Sequence, residues 1–582
     1  MAYVDKRPLE ARVVRVAFAA SFLFLGLGGV GGLIQALHRT GYFRFITEVT
    51  DGNYYTVLTS HGVFMVLFFT IFFLVGTFTW ALTRSLDRDL NNPRVTKYWI
   101  TSMSVGAFLT SAAVIGGFFN AVPLEANVLY TMYAPLKAHP LYYIGLTLFV
   151  TGTWVAGYDW ISTYLRWRSD NPDRRIPLMA FMVLTTALMW YITTIGIAAE
   201  VLLFLIPWSL GLVNEVNPTL TRTLFWYFGH AVVYFWLIPA YLLWYAVLPK
   251  LSGGRLFSDP LARVVFVLFL VLSVPVGIHH QYLDPGIPEG FKFVAMTNTM
   301  FLLLPSLLTA FTVVASIEHG GRQRGGKGYL GWLRTLPWGN PAFSGMALAG
   351  LMFAAGGFSG MINAGMNINY LVHNTFWVPG HFHLTVGTAS ALTFMAGAYW
   401  LVPQLTGKRL VAKRIAAVQP FIWFVGMTFM SNAMHRAGLF GMPRRTAEPM
   451  YESFSYDPAL GTVGGVNGQV ALGGVLLTVS LAAFLYVMVR TWFGGDRVDS
   501  PVDSELPPAL SGPEHSPRVL DNLKLWVGIA VLLVVLAYAV PIGSIAADGI
   551  YSGSETAPVS VLVDAAKVAV GGVAEGAAEV LT

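Results

Sequence analysis

The sequence predicts an all-α polytopic membrane protein, because the chain is far more apolar than a soluble protein and its apolar residues form long blocks. Hydrophobic residues make up 55% of the 582 residues, charged residues only 11%, and the mean hydropathy is +0.61. An ordinary globular protein has about 25% charged residues. This composition excludes a soluble enzyme, a nucleic-acid-binding protein and a disordered scaffold.

The apolar blocks predict about thirteen transmembrane helices, since a run of about 20 apolar residues crosses the hydrocarbon core of a bilayer. The first block follows four basic residues, as in a signal peptide, but it is too long for cleavage to be the better interpretation. The predicted spans cover residues 16–37, 57–82, 98–120, 141–165, 178–206, 222–249, 262–283, 291–317, 341–364, 370–402, 412–440, 467–489 and 520–547.

The positions of Lys and Arg predict the orientation of these spans. With the N-terminus in the cytoplasm, 27 of the 36 basic residues fall on the inner side of the membrane and nine on the outer side. Cytoplasmic loops of membrane proteins carry such an excess. We therefore expect a cytoplasmic N-terminus and an external C-terminus. The net charge of +6 is interpreted as loop topology rather than as a surface for polyanions.

Two polar segments complete the predicted domain organisation. Residues 491–519 are rich in Pro, Asp and Ser, which is typical of a linker. Charged residues interrupt the Ala/Val-rich end of the chain, which favours an interfacial helix or a loose end over a fourteenth span. The expected organisation is a cytoplasmic N-terminus (1–15), a twelve-helix catalytic core (16–490), a cytoplasmic linker (491–519), an additional transmembrane helix (520–547) and an external tail (548–582).

Six histidines are predicted to lie at a similar depth, toward the outer face of the membrane. Ionisable groups inside a bilayer are costly and usually functional, and imidazole is the commonest protein ligand for copper, zinc and heme iron. His373, at the start of the tenth span, is also a candidate, but its packing interpretation is the better one. The six histidines are His61, His230, His279, His280, His381 and His383.

The spacing of these histidines refines the prediction. His381 and His383 are two positions apart, so on a helix their side chains point about 200° away from each other and can serve two cofactors. His279 and His280 are about 100° apart, and the Pro275 just before them loosens the helix, so both can turn toward one metal. The i,i+4 spacing of His230 and Tyr234 places a phenol on the same helix face as the imidazole.

These motifs together resemble subunit I of the heme–copper oxygen reductases, and more closely the B-type cytochrome c oxidases of the cytochrome ba kind. The resemblance covers about 540 residues and implies the catalytic subunit of a terminal respiratory oxidase in a prokaryotic cell membrane. Such an enzyme reduces dioxygen to water and couples the reaction to proton translocation. The motifs are His61-Gly62, Gly229-His230-Ala231-Val232-Val233-Tyr234, His279-His280 and Val378-Pro379-Gly380-His381-Phe382-His383.

The resemblance also implies two hemes and the residues that bind them. His61 and His383 would be the axial ligands of a low-spin heme, expected to be heme b. His381 would bind a high-spin heme, expected to be A-type, on the other side of the same helix. Arg444 and Arg445 would bind the heme propionates through bidentate guanidinium–carboxylate contacts. The alternative for this arginine pair is an exposed basic loop.

A single copper ion and a modified tyrosine complete the implied reaction centre. His230, His279 and His280 would hold the copper opposite the high-spin heme, and Tyr234 would be covalently joined to His230. The B-type resemblance further implies one proton-input path made of hydroxyl groups. The alternative is that these hydroxyls bond to their own helix backbones. The path residues are Tyr234, Tyr241, Tyr245, Ser258, Ser306, Thr309 and Thr312.

The absence of cysteine bears on the partners of the chain. It excludes disulfides, iron–sulfur clusters, covalently attached c-type heme and a thiolate-bridged copper pair within this chain. The copper pair that receives electrons must therefore reside on a subunit II. The electron donor would be a cytochrome c or a blue-copper protein, a small accessory membrane subunit is compatible with the family, and no nucleic acid is involved.

Two alternative functions and several residues remain open at this stage. A nitric oxide reductase shares the six histidines, but its metal is accompanied by glutamates and it lacks the tyrosine, so Tyr234 and Val232 argue against it. A non-redox polytopic transporter is the remote alternative and would bind no heme. The sequence does not assign roles to Asp159 and Glu200 in the fourth and fifth spans, or to Asn369, which replaces an acid of the family.

Overall fold

The described part of the chain is helical. The computed structural model describes residues 3–44, 53–118, 124–448, 462–498 and 506–551, and these contain isolated β-bridges but no β-strand. The predicted all-α fold class is confirmed. The prediction of an interfacial helix or a loose end in the external tail concerns residues beyond 551, which lie outside the described part of the chain.

The helices of eight or more residues follow the order of the predicted spans. They are α1 (Pro8–His38), α2 (Asn53–Val63), α3 (Thr70–Leu86), α4 (Pro93–Phe118), α5 (Pro140–Asp170), α6 (Leu178–Ala199), α7 (Pro218–Gly229), α8 (Val232–Ala246), α9 (Asp259–Leu272), α10 (Glu289–Phe301), α11 (Leu303–Gln323), α12 (Pro341–Ala364), α13 (Trp377–Leu384), α14 (Ala391–Thr406), α15 (Lys413–Leu439), α16 (Val463–Gly494) and α17 (Leu523–Ala547).

Shorter elements join or extend these helices. Turns of π-helix continue three of them, and 3-10 turns lie in the connections. The short α-helices are Tyr3–Lys6, Ile206–Ser209, Leu248–Ser252 and Met366–Val372; the π-turns are Phe64–Phe69, Glu200–Leu205 and Thr385–Ser390; the 3-10 turns are Gly277–Gln281, Gly331–Thr335, Pro513–His515 and Arg518–Asp521.

Eleven helices in the described residues are long and apolar enough to cross a membrane. Two predicted spans fall outside this set. The span predicted at 141–165 is the 31-residue helix α5. At the span predicted at 262–283, the 14-residue helix α9 ends at Leu272 and the 3-10 turn Gly277–Gln281 follows. The count of thirteen spans and the orientation of the termini stay predictions.

The connection before α13 corrects one sequence prediction. His373 was expected inside the tenth span, but it follows the short helix Met366–Val372 and lies outside α13. The next residue, Asn374, has φ of 56°. A left-handed residue cannot continue a right-handed helix, so the chain turns here before Trp377 begins the new helix.

The buried centre of the bundle is formed by the helices that carry most of the predicted histidines. The most apolar stretches of the spans Tyr54–Leu86, Pro218–Ala246 and Trp377–Thr406 are 78%, 94% and 89% buried. The corresponding stretch of the last helix, α17, is only 28% buried, as expected for a helix that faces lipid along most of its surface. The predicted ligands are therefore placed in the interior of the protein.

Candidate functional site

His61 and His383 face each other across the centre of the bundle. Their ring centroids are 6.3 Å apart and the ring planes differ by 14°. The Nδ1–H of His61 donates to the carbonyl of Gly28 at 2.8 Å, and that of His383 donates to the carbonyl of Pro379 at 2.7 Å. These bonds fix both rings and leave each Nε2 atom free to bind a metal.

The distance between the two rings fits one metal ion between them. With a metal–imidazole bond of about 2.0 Å and about 1.1 Å from Nε2 to the ring centre, two axial imidazoles should have centroids about 6.2 Å apart. Gly32 makes room for this arrangement, because a Cβ atom at this position would lie 2.8 Å from Cε1 of His61. Both histidines line one cavity of about 260 Å³.

Three arginines line the same cavity. Arg444 donates from Nε and Nη2 to the side-chain oxygen of Asn374, at 3.2 and 3.0 Å. Nη2 of Arg445 and both Nε and Nη2 of Arg39 are buried without a hydrogen-bond partner. Unpaired buried donors are costly, so they fit an anionic group bound in the cavity. No motif in the sequence marks Arg39 as a residue of this cavity.

The positive charge of Arg444, at this end of the cavity, is destabilised by its surroundings. Desolvation, with the neighbouring charge of Arg445, lowers the pKa of Arg444 to about 9. The guanidinium is still charged at neutral pH, but its charged form would be favoured by a carboxylate partner. This supports a carboxylate-binding role over the alternative of an exposed basic loop.

His381 lies on the opposite side of α13 from His383, as the i,i+2 spacing predicts. Its Nδ1 is 3.0 Å from the carbonyl of Gly356 and 3.0 Å from Oγ of Ser359, both on α12. A Cβ atom on Gly360 would lie 2.9 Å from Cε1 of His381, so a glycine is required beside the ring. Nε2 of His381 is again left free by the bond at Nδ1.

Three histidines are close enough to bind one metal ion together: His230, His279 and His280. One ring nitrogen of each lies within 4.8 Å of those of the other two, and Nδ1 of His230 is 3.0 Å from Nε2 of His280. No carboxylate from the described residues joins this group. Three neutral imidazoles suit a copper ion, whereas the glutamates expected beside the metal of a nitric oxide reductase are missing from the group.

Residues on three helices support the trio of histidines. The phenol oxygen of Tyr234 is 2.7 Å from Nε2 of His230, which confirms that the i,i+4 pair is in contact. Thr299 on α10 bonds Nδ1 of His279 at 2.9 Å. The ring of Trp226 on α7 stacks on His280 with centroids 3.7 Å apart and planes 4° apart. Neither Thr299 nor Trp226 was identified from the sequence.

The bend that carries the histidine pair is sharper than the sequence predicts. The Pro275 that was expected to loosen the helix follows its end, since α9 stops at Leu272. His279 and His280 then lie in the 3-10 turn Gly277–Gln281. Proline lacks the N–H that a continuing helix needs, and the turn brings both rings toward His230.

The hydroxyl track is partly assembled. The phenol of Tyr241 donates to Oγ of Ser306 at 3.3 Å, and the phenol of Tyr245 is 2.7 Å from Oγ1 of Thr309. The hydroxyl of Thr309 also bonds the carbonyl of its own helix at Pro305. Thr309 therefore fits both interpretations: its hydroxyl contacts another member of the proton path and also bonds the backbone of its own helix.

The two inner members of the track bond to the backbone. Oγ1 of Thr312 donates to the carbonyl of Leu308 at 2.8 Å. Oγ of Ser258 accepts from the N–H of Leu261 at 3.2 Å and caps the start of α9. Within the described part of the chain, no hydrogen bond between side chains connects either residue to the Tyr241–Ser306 contact or to the Tyr245–Thr309 contact.

The residues without an assigned role have distinct surroundings. Oδ2 of Asp159 accepts from Thr96 at 2.6 Å and from the indole of Trp99 at 3.2 Å, whereas its Oδ1 is buried without a hydrogen-bond partner. Both carboxyl oxygens of Glu200 are buried without a partner. Asn369 contacts Nδ1 of His373 through its side-chain oxygen at 3.0 Å.

A set of histidines with metal-ligand geometry inside a bundle of membrane-length helices is typical of a polytopic membrane redox protein. Residues 12–494 match the family described as cytochrome c and quinol oxidase polypeptide I. The chain belongs to this family. The resemblance to heme–copper oxygen reductases, the oxidase activity and its coupling to proton translocation are thereby confirmed. Family members carry hemes and copper and work with a subunit II.

Individual relatives agree with this membership. The chain is 42% identical over 542 residues to cytochrome c oxidase subunit 1 of Thermus thermophilus, covering 91% of this chain and 94% of the relative. It is 26% identical over 490 residues to cytochrome c oxidase polypeptide 1 of Halobacterium salinarum, covering 81% and 76%. A cryo-EM structure of a heme–copper terminal oxidase dimer matches with a TM-score of 0.85 and 34% identity, over 97% of this chain and 99% of that one.

Proposed function

We propose that this oxidase subunit divides its six histidines among three cofactor sites. His61 and His383 hold a low-spin heme b, and His381 holds a high-spin heme of A-type. The remaining three histidines hold one copper ion. The enzyme acts in the inner membrane of a prokaryotic cell.

One shared feature supports the heme sites most directly. His61, His381 and His383 all anchor Nδ1 on a backbone carbonyl, at 2.8, 3.0 and 2.7 Å. Metal-binding histidines usually donate their second ring N–H in this way, which orients the ligand and raises its basicity. His435 makes the same bond to the carbonyl of Ser431 but does not line the cavity, so the anchor supports heme binding together with the cavity that His61 and His383 line.

The arginines at the outer end of the cavity bind the heme propionates. Arg445 and Arg39 supply the unpaired N–H groups, and Arg444 adds its charge beside them. When bound, the hemes and the copper supply one-electron transfer and the binding and reduction of dioxygen. The protein contributes ligands, orientation and access for protons.

Tyr234 holds a proton beside the copper site. Its phenol oxygen is 2.7 Å from Nε2 of His230, so the hydroxyl can give its proton within the reaction centre. Tyr234 and Tyr241 lie on the same helix, α8. In the mature enzyme the side chains of Tyr234 and His230 are covalently joined, as the family resemblance implies.

Protons reach Tyr234 from the cytoplasmic side through the hydroxyl track. The Tyr245–Thr309 contact and the Tyr241–Ser306 contact form two successive steps toward Tyr234. Thr312 and Ser258 lead from the cytoplasm to the first of these steps. Water molecules join the steps, since a water can bridge polar groups that do not touch.

Electrons come from a partner chain. The sequence of 582 residues contains no cysteine, so subunit II carries the copper pair that receives electrons. Its donor is a cytochrome c or a small blue-copper protein, and a small accessory membrane subunit completes the complex.

Replacing single histidines tests the assignment. His383→Ala should remove the low-spin heme spectrum and keep carbon monoxide binding, whereas His381→Ala should do the reverse. His435→Ala is a matched control. This partly buried histidine of α15 also anchors Nδ1 on a backbone carbonyl, that of Ser431, and is assigned no cofactor. The proposal is wrong if His383→Ala and His381→Ala have the same spectrum, or if His435→Ala loses a heme.

A further inference from the structure

A tyrosine of the last helix contacts the broken segment that precedes the copper-binding histidines. Tyr538 lies on α17 and its side chain is 3% exposed. Its phenol oxygen accepts the N–H of Gly277 at 2.9 Å and donates to the carbonyl of Val274 at 3.2 Å. Tyr538 thus satisfies one donor and one acceptor on either side of Pro275.

One of these two backbone groups, the N–H of Gly277, has its partner on another element because α9 ends at Leu272. Ser273 still bonds the carbonyl of Phe269 at 3.1 Å, and the carbonyl of Val274 also accepts the N–H of Val276 at 2.8 Å. A buried backbone group without a partner is as costly as a lost hydrogen bond. Tyr538 supplies the partner of the Gly277 N–H and a second donor for the carbonyl of Val274, and the side-chain amide of Asn298 contacts the carbonyl of Pro275 only at 3.5 Å.

The packing around this contact leaves little freedom. A Cβ atom on Gly277 would lie 2.0 Å from the carbonyl oxygen of Trp226 and 2.5 Å from the phenol oxygen of Tyr538. The ring of Tyr538 also packs on Tyr227, with centroids 4.8 Å apart. Because Trp226 stacks on His280, the turn is held between α7 and α17.

We infer that Tyr538 is a positioning residue for the copper site: it fixes the turn that aims His279 and His280 at the metal. The inference rests on the proposed copper ligands and adds a helix to them. The family match ends at residue 494, so a part of the chain beyond that match sets the geometry of the reaction centre. Tyr538 acts through the backbone of Gly277, two residues before His279.

The test compares Tyr538→Phe with the wild-type chain in the complete oxidase complex. The substitution removes one oxygen atom and keeps the ring that packs on Tyr227. Tyr551→Phe is the matched control, because the Tyr551 hydroxyl donates to the carbonyl of Leu203 at 3.0 Å, away from the histidine turn. Two quantities are measured: the rate of copper loss to a chelator, and the infrared band of carbon monoxide transferred to copper by low-temperature photolysis.

We expect Tyr538→Phe to lose copper roughly tenfold faster, the lower end of the effect of removing an outer partner of a metal ligand. Its copper–carbonyl band should shift, while the heme content and the low-spin spectrum stay unchanged. Tyr551→Phe should match the wild-type chain in all four respects.

Three results would overturn the inference, and they are distinguishable. Identical copper loss and carbonyl bands in the two variants would show that Tyr538 does not position the site. Joint loss of hemes and copper in Tyr538→Phe would show a general role in folding. A wild-type complex with both hemes but no copper would instead refute the proposed ligands, and this inference with them.

Discussion

Replacing Gly360 by alanine should disturb the heme bound by His381 and spare the heme between His61 and His383. The new Cβ atom would lie 2.9 Å from Cε1 of His381, whereas carbon atoms in contact are normally about 3.5 Å apart or more. The imidazole must therefore move by about 0.6 Å, and cofactor ligands tolerate displacements of only about 0.5 Å.

The cost of this displacement can be estimated. The ring of His381 cannot simply turn aside, because its Nδ1 is held at 3.0 Å from the carbonyl of Gly356. Overpacking of a well-packed interior typically costs about 1–3 kcal/mol, which corresponds to about 5- to 150-fold weaker heme binding. The fraction of chains that bind carbon monoxide should fall accordingly.

The assay is the carbon monoxide difference spectrum of the purified, reduced enzyme, normalised to the low-spin heme band. Gly357→Ala is the control, because it lies on the same helix and a Cβ there meets nothing within 4 Å. Gly32→Ala should instead disturb the heme between His61 and His383 and spare the heme bound by His381, since its Cβ would lie 2.8 Å from Cε1 of His61. Equal carbon monoxide binding by Gly360→Ala and Gly357→Ala would refute the reasoning, and so would loss of both hemes in Gly360→Ala.

Three further predictions concern proton supply, heme electrostatics and the cytoplasmic surface. Tyr245→Phe breaks the proposed track and should slow steady-state oxygen consumption by about 100-fold, whereas Tyr191→Phe, whose hydroxyl bonds only the backbone, should not. Arg39→Gln removes a positive charge from the heme cavity and should lower the low-spin reduction potential in a redox titration; an unchanged potential would contradict the propionate assignment. The hydrogen bond and the charge of Lys6 hold the pKa of Asp87 below its ordinary value of 3.8. This contact therefore stabilises the N-terminal segment above pH 3.8 and is lost as the pH falls through the lowered pKa, so proteolysis of that segment should become acid-sensitive in the wild type but not in Asp87→Asn.

The sequence predicts the fold class and the local arrangement of the histidines well because both depend on local patterns. Apolar runs of membrane length predict the helices, and the i,i+2 and i,i+4 spacings predict which side chains share a helix face. The opposite sides taken by His381 and His383 follow from helix geometry. The i,i+4 spacing also predicts the contact of His230 with Tyr234, although His230 lies between α7 and α8.

What the sequence does not predict depends on contacts between distant segments. The carbonyl partner of His61 is Gly28, from another helix, and the stacking of Trp226 on His280 joins two elements. No spacing rule connects such pairs. The misplacement of His373 has a different cause: an apolar pattern gives no sign of the left-handed Asn374 that interrupts it.

The hydroxyl track is predicted from spacing and is connected only in part in the structure. Spacing alone places Ser306, Thr309 and Thr312 on one face, and the structure pairs the first two with tyrosines while Thr312 bonds its own helix. A hydroxyl that bonds a backbone carbonyl can still accept a proton from a neighbour. The slower oxygen consumption expected of Tyr245→Phe therefore tests proton uptake through these residues.

The most direct test of the central claim is a reduced-minus-oxidised optical spectrum of the wild-type complex, with and without carbon monoxide, together with metal analysis of the same sample. The account predicts two hemes for each chain, only one of which binds carbon monoxide, and one copper ion that is lost when His230, His279 or His280 is replaced. Non-heme iron in place of that copper, or a chain without heme, would contradict it.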